Sequence, residues 1–542
     1  MTTTSAFRRP AFHRAMQRLR RLRLVRFLTK PAIPVLPVYK PERSGLTIAA
    51  RRTVLLVGVV FLAAVYGLLV AVLPLQMLAV PAVPLVLMAL VIIWALPEAR
   101  QAPTRLLAQL YLAYMAAALV WPNYLALSVG GLPWISIRRM IGSFVLLTLM
   151  VSLSVSKKFR SEMAAIMRAA PIPSRLLLAF IAVQIVASVA TPVAAQTIPR
   201  LIGILLTVTP MAFITLWLIG TDTRTPEWWV TRVFWCVGVL MVIGVLEFRV
   251  KHVLWAYSIP SFLRVDEQFL TVVLTPGFRG SYRVLTTFSS PLVWGELTAV
   301  TIPFVLHRIA NSRGVGRLVF WIFFDFLVVA SGFLSGSRLA MVGALVAHTV
   351  YLLVWAIRRW RTTKNGLVGV SLTMAYPALM VALSLAVMFV PAVHNRVLGG
   401  GASQLSNQGR QEQFRLGVPA IARRPFFGYG PGEGADAVGW RNQQGFLSID
   451  SGFLSVAADY GLLGFVSLYG TMVTLMILLA FRGLKMSGDG YPLELAVATF
   501  LAVLLNTRSV LSQGDNDPFV FMTLGLGIAL LYRSRPHTKL RG

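Results

Sequence analysis

Apolar runs of about twenty residues, separated by short polar or proline-bearing breaks, repeat from residue 53 almost to the end of the chain. A helix needs about twenty such residues to cross a hydrocarbon layer about 30 Å thick, so each run predicts a membrane-crossing helix. Fourteen are read, near 53–74, 76–96, 105–127, 140–156, 175–192, 201–220, 228–248, 291–307, 317–335, 338–357, 367–393, 451–481, 491–507 and 517–532. Prolines such as Pro81, Pro84 and Pro377 interrupt some of them, which helices in lipid tolerate when neighbours satisfy the freed backbone groups. The pattern predicts an all-α, polytopic membrane protein: a segment 1–52, a transmembrane body 53–533 and a tail 534–542.

Composition supports the same class. Hydrophobic residues make up 57% of 542 and charged residues 13%, with a mean hydropathy of +0.73, outside the range of a soluble globular protein of this size. A net charge of +32 invites a nucleic-acid reading. The cations, however, sit between apolar runs rather than on a soluble domain, so topology explains them and no nucleic-acid partner is expected. With a cytoplasmic N-terminus, 35 of the 51 Lys and Arg residues fall inside, which obeys the positive-inside rule and puts both termini in the cytoplasm. Cys236, the single cysteine, lies in an apolar run and reads as a packing residue, with no disulfide and no thiol metal site.

The first fifty residues interleave Arg8, Arg9, Arg14, Arg18, Arg20, Arg21, Arg23 and Arg26 with Phe12, Leu19, Leu22, Leu24, Val25 and Phe27. That fits a basic amphipathic segment on an anionic inner leaflet, or a disordered tail that enforces topology. No apolar core of a cleavable signal follows within thirty residues. Pro31, Pro34, Pro37 and Pro41 then form an extended linker.

Two outward loops stand apart by length, 249–290 and 394–450. Loops between membrane helices are usually short, so chemistry is expected in these two. Six Arg residues in the second loop run against the inside-positive trend, which points to phosphate or carboxylate binding or, more plainly, to a solvated face with surface ion pairs. Gly428, Gly430, Gly432 and Gly434 alternate after Pro425. They permit positive φ and close backbone approach, so their amides are candidates for touching phosphate or sugar, though a plain turn needs no ligand. No Lys-Ser or Lys-Thr follows, which excludes a nucleotide-binding loop.

Gly409-Arg410, Arg424-Pro425-Phe426-Phe427-Gly428-Tyr429-Gly430, Ile449-Asp450-Ser451-Gly452-Phe453-Leu454 and Asp459-Tyr460-Gly461-Leu462-Leu463-Gly464 occur in this order. They resemble the signature region of the O-antigen ligase and Wzy-type polysaccharide polymerase superfamily. Upstream, Arg283, Phe288, Pro291, Gly295 and Pro303 resemble a further pattern of that family, and Ser335-Gly336-Ser337-Arg338 resembles its Ser-Arg motif at a helix start. The resemblance spans about 120–530. It includes Trp121-Pro122-Asn123-Tyr124 and Trp134-Ile135-Ser136-Ile137-Arg138, which are similar to exopolysaccharide polymerases.

The resemblance implies glycosyl transfer at the periplasmic face of a bacterial inner membrane, from an undecaprenyl-diphosphate-linked glycan to an acceptor, with no cofactor and no metal. The expected partners are the lipid-linked oligosaccharide, membrane lipid and a chain-length regulator protein. Ligases of the family carry a His where this chain has Asp450, a departure that favours polymerisation of repeat units over joining glycan to a lipid A core. His252 and His394 lie elsewhere in the outer loops and read as interfacial residues.

A diphosphate leaving group needs preorganised cationic donors, for which Arg283, Arg338, Arg410 and Arg424 are the candidates. Arg338 is also explained by snorkelling to the headgroups. The acceptor hydroxyl needs a general base. Asp450 leads, although an Asp before an apolar helix also serves as an N-cap. Glu296, one turn into an apolar span, is second, and Glu433 and Asp436 are in reserve. A lipid-linked glycan transporter would show paired ionisable residues deep in several helices. The chain shows Glu247 and Glu296 near outer ends and Asp325 within a span. A non-catalytic scaffold would leave Arg283, Arg338, Arg410 and Asp450 without a shared purpose.

Overall fold

The computed structural model describes residues 50, 53, 54, 57, 58, 60, 61 and 88–535, except 100, 128–134, 266–281, 363–366, 395–403, 443–444 and 487–489. The basic segment, nearly all of the first two expected spans, Trp134 and most of the tail lie outside the described residues.

The chain is mostly helical. Its elements are α1 (Thr104–Val120), β1 (Leu125–Leu127), α2 (Ile137–Val155), α3 (Lys157–Ala169), α4 (Pro171–Val189), α5 (Ala194–Thr207), α6 (Thr209–Thr221), α7 (Pro226–Val250), β2 (Leu263–Val265), α8 (Pro291–Ala310), α9 (Val315–Leu334), α10 (Arg338–Thr362), α11 (Leu367–Phe389), α12 (Pro391–His394), α13 (Gln404–Arg423), α14 (Gly434–Val438), α15 (Gly452–Lys485), α16 (Leu493–Arg508) and α17 (Asp517–Arg533). Among the described residues nine helices are long and apolar enough to cross a membrane, with α5 and α6 counted as one, so the chain is a multi-pass membrane protein. α1, α16 and α17, also read as spans, have 17, 16 and 17 residues.

The structure adds detail to the sequence reading in four places. The run at 201–220 is two helices that meet at Val208, just before Pro210. The stretch at 157–175 holds the amphipathic α3, with Phe159, Met163 and Ile166 turned inward. A two-stranded antiparallel ribbon, with Ala126 opposite Arg264, joins the α1–α2 and α7–α8 connections. The loop 394–450, read as irregular, contains the 20-residue helix α13.

Helix starts follow local chemistry. Ser136 and Ser290 cap α2 and α8, accepting from Arg139 N and Val293 N, and Pro291 occupies a first-turn position of α8 where no amide partner is lost. The most enclosed spanning helix is α8, whose Val293, Trp294, Leu297, Ala299, Val300 and Ile302 fill the core. Small residues let its neighbours approach. A methyl group added at Gly343 of α10 would lie 2.6 Å from Ala299, and one at Gly332 of α9 would lie 2.8 Å from Thr298 Oγ1. α11 is peripheral and buries only Gly369. In the middle of α9, Asp325 faces His348 of α10, with Oδ2 and Nε2 3.0 Å apart. Cys236 is half-buried and packs on the apolar core.

The two ends of the bundle are tied differently. At the end where α8, α10 and α15 finish, buried Arg358 donates to the carbonyls of Gly483, Met486 and Gly490, and Arg533 donates to those of Ile219, Asp222 and Arg224. These cations close helix ends whose carbonyls lack partners. At the end where the same helices begin, the connections around residues 121–136, 282–290, 335–338, 407–451 and 509–516 meet one another, and the sequence motifs gather there.

Candidate active site

The site is built on the segment 282–288, which carries Arg283 and is clamped from below. Glu247, fully buried near the end of α7, accepts from Tyr282 Oη at 2.8 Å, Leu285 N at 3.0 Å and Thr286 N at 2.8 Å. Burial and the adjoining Glu247 carboxylate push the Tyr282 phenol above its ordinary range, so it stays a neutral donor to that carboxylate. Thr286 takes a positive φ of 54°, a conformation a β-branched residue adopts only when its surroundings impose it. Thr287 then donates to Leu119 O, and Ser289 donates through its amide and hydroxyl to Asp515 Oδ2. Arg138, buried in the first turn of α2, reaches the same region through Asp515 O at 3.3 Å.

From this clamp, Arg283 donates through Nε to Ser335 O at 3.0 Å and lies across Gly336. Gly336 has φ +58°, and a Cβ there would stand 3.1 Å from the Arg283 side chain, so glycine opens the turn between α9 and α10 to the guanidinium stem. Arg338, the first residue of α10, donates to Asn407 Oδ1 on α13 at 3.3 Å. One turn on, Arg410 faces Asp450, with Nε and Oδ2 3.8 Å apart. Another turn on, buried Gln413 accepts from Asp450 N at 2.8 Å. Asn407, Arg410 and Gln413 thus place one polar group per helical turn between the start of α10 and the start of α15. Gly409 leaves room for Trp440, whose Cζ2 would lie 2.9 Å from an added Cβ.

Arg283 donates to the turn that ends at Arg338, Arg338 donates to Asn407 one turn before Arg410, and Arg410 faces Asp450, which sets three cations and one carboxylate at one end of the bundle. Three donor atoms in this region make no hydrogen bond among the described residues: Ser337 Oγ, Arg410 Nε and Gln413 Nε2. The helix cap expected of Asp450 is supplied by its neighbour: Ser451 accepts from Leu454 N at 3.4 Å. Asp450 keeps its half-exposed carboxylate toward Arg410 instead.

The other expected site residues sit differently. Glu296 is fully buried in α8, with Oε1 3.0 Å from Arg508 Nε; it also accepts from Thr507 Oγ1 and Asn516 Nδ2, each at 3.0 Å. Arg508 continues to Asp517 at 2.7 Å. Both oxygens of Glu296, the second candidate for the base, accept hydrogen bonds within the protein. Glu433 is likewise committed, accepting from Arg200 of α5, while Asp436 is exposed on α14. Arg424 lies over the Tyr429 ring, 5.1 Å from its centroid.

The glycine-rich turn is packed backbone. Gly430 N donates to Asp459 O, Tyr429 N to Ala458 O, Gly434 N to Asp459 Oδ1 and Leu462 N to Pro425 O, which stitches residues 425–434 to α15. Gly428 and Gly430 have φ of +66° and +102°, and methyl groups there would fall 2.4 Å from Ala458 O and 2.7 Å from Thr197. Their amides are used inside the fold rather than presented to a ligand. α15 breaks at Gly461, φ +67°, to receive Phe426. Of the outer histidines, His252 meets the Tyr257 ring edge-on and His394 contacts Val387 O.

Sequence reasoning missed Asn407 and Gln413 because α13 was read as loop; their spacing of three around Arg410 is the signal that finds them. It missed Arg200, Arg508 and Asp459 because nothing local marks a partner far along the chain.

No curated protein matches the chain. Residues 323–469, from within α9 to the middle of α15, match the family model described as O-Antigen ligase. The match takes in Arg338, Arg410, Arg424 and Asp450 and stops short of Arg283 and Glu296. The match covers about a quarter of the chain, and over that segment the protein is similar to the O-antigen ligase family, in agreement with the resemblance read from the sequence.

Proposed function

We propose that the protein is a polysaccharide polymerase of the bacterial inner membrane, acting at the periplasmic face. It transfers a growing undecaprenyl-diphosphate-linked glycan to the non-reducing end of a fresh lipid-linked repeat unit, for exopolysaccharide, capsule or O-antigen synthesis. The observation that supports this reading is the placing of Arg283 on the 335–338 turn, Arg338 on Asn407 and Arg410 opposite Asp450 at one end of the bundle.

Arg283, Arg338 and Arg410 hold the donor diphosphate, and their guanidinium forks take up the charge that grows on it as the glycosidic bond breaks. Asp450 receives the proton of the acceptor hydroxyl as that oxygen bonds to the anomeric carbon. The bond from that carbon to the phosphate oxygen breaks, undecaprenyl diphosphate leaves, and the anomeric centre inverts. Arg424 sits at the margin of the site as a further contact for the glycan or its diphosphate. Glu296 and Glu433 act as structural carboxylates, and Asp436 is a solvent-facing contact for the growing glycan. The cytoplasmic placement of both termini and the docking of a chain-length regulator belong to the same proposal.

Asp450, standing where ligases carry His, favours polymerase over ligase. The test is reconstitution of the purified protein with a lipid-linked repeat unit. A ladder of products supports polymerisation, a single transfer to lipid A core supports ligation, and lipid binding without turnover overturns both.

A further inference from the structure

α13 lies outside the spanning helices, yet its outward face is half apolar. Phe414 is 44% exposed and Val418 60%, and just beyond the helix Phe426 is 66% exposed with Phe427 beside it. Phe414, Val418 and Ala422 stand at intervals of four along one edge of the exposed face, with Gln411 among them a turn before Phe414, while Gln408, Pro419 and Arg423 lie along the other, with Arg415 between. The opposite face is turned inward, with Gln413 and Ala420 buried and Gly417 against Leu454. Bulky apolar side chains in such a row on an outer loop mark an interaction surface rather than a water-facing one.

Two observations identify what covers it. The first is continuity: the backbone of Phe426 abuts Gly461, Leu462 N donates to Pro425 O at 2.7 Å, and Leu462, Leu463 and Val466 are exposed on α15, a helix long and apolar enough to span. Beyond Arg423 and Arg424, which follow the end of the apolar edge, Phe426 and Phe427 therefore adjoin the exposed apolar surface of a helix long enough to span. The second is charge. Arg415 and Arg423 are exposed on one side of the apolar edge; Arg415 donates through Nε to Glu412 at 2.8 Å, a solvent-facing pair weak enough to exchange for lipid phosphate, and long cationic side chains so placed reach from an apolar surface to headgroups.

We propose that α13 is an in-plane interfacial helix that beds Phe414, Val418, Phe426 and Phe427 in the lipid leaflet at the active-site end, with Arg415 and Arg423 at the headgroup phosphates. Gln413 lies on its inner face and Arg410 on the flank between that face and Phe414, with Asn407 a turn earlier in line with Phe414, so the leaflet sets the height of the Arg410 guanidinium at the level where a lipid-linked diphosphate emerges. That last consequence rests on the proposed function; the membrane seat of α13 does not.

The test uses the full chain in nanodiscs of phosphatidylethanolamine and phosphatidylglycerol, in a Cys236→Ser background. Spin labels are placed singly at Phe414→Cys, Val418→Cys and, on the polar edge, Gln408→Cys, and their collision rates with oxygen and with a water-soluble nickel chelate are compared. The expected result is a several-fold preference for oxygen at 414 and 418 and the reverse at 408. Nickel access at 414 and 418 equal to that at 408 overturns the proposal, as does dipolar broadening at 418 that reveals a second copy seated there. Val418→Trp, read by quenching from brominated lipid chains, gives a label-free second measurement, and absence of quenching overturns it. Neither readout involves turnover, so failure here is separable from failure of the polymerase reading.

Discussion

Arg410 and Asp450 face each other across the gap between α13 and α15 with Nε and Oδ2 3.8 Å apart. That separation is beyond a hydrogen bond yet within reach of electrostatic attraction. The arrangement leaves Arg410 Nε a donor without an acceptor, in position for a ligand oxygen. A pair held apart in this way keeps both members available for chemistry.

Asp450→Asn tests the base. In the proposed mechanism the amide preserves shape and loses proton acceptance, so turnover of lipid-linked substrate falls by about 10²–10⁴-fold. Retained substrate binding and an unchanged thermal midpoint are expected, because Ser451 carries the helix cap. A variant with full turnover removes Asp450 from the mechanism.

Arg410→Ala is expected to lower kcat/KM by about 10–100-fold, from the loss of about 1.5–3 kcal/mol in a charge-assisted hydrogen bond. Arg410→Lys restores the charge without the planar fork and should recover only part of the loss. Steady-state kinetics on a purified lipid-linked donor distinguish the two variants, and complete rescue by Lys would argue against a directional contact.

Glu296→Gln separates structure from catalysis. Arg508 is buried between Glu296 and Asp517, so removing the Glu296 charge leaves the cation with Asp517 alone and weakens the buried network by about 1–3 kcal/mol. The prediction is a marked fall in the thermal unfolding midpoint in detergent. If stability holds and only turnover disappears, Glu296 belongs among the reacting groups after all.

Gly461→Ala should destabilise the protein by about 1–3 kcal/mol, because a side chain is forced into a positive-φ position. The added methyl group also meets the Phe426 backbone. Limited proteolysis reads the consequence directly, since release of residues 425–434 from α15 exposes the Arg423–Arg424 bonds to trypsin. Equal cleavage rates in the parent and the variant would show that the turn is held by other contacts.

The spanning helices from α1 onward were legible because about twenty apolar residues in a row have few other ways to satisfy their backbone in lipid. Alternation supplied the expectation that Arg283, Arg338 and the Arg410–Asp450 pair share one end: each is two expected crossings from the next, an even number. What each carboxylate faces was hidden. Glu296 and Asp450 looked alike in sequence, and the difference between them is Arg508, 212 residues beyond Glu296. The helical form of α13 was masked by its low apolar content and by Gly409, Gly417 and Pro419, residues that ordinarily weaken helices. Gly428 and Gly430 were visible as a turn, while the close fit of that turn against Ala458 and Asp459 is a tertiary fact with no local mark.

The bend at Gly461 divides α15 into two mechanical parts. The stretch from Gly452 to Tyr460 and Leu462, beyond the bend, are both sewn to the turn at 425–434. The break is thereby bridged from both sides, so a displacement of the longer part reaches the turn, and with it the start of α15 beside Asp450, through a direct hydrogen bond.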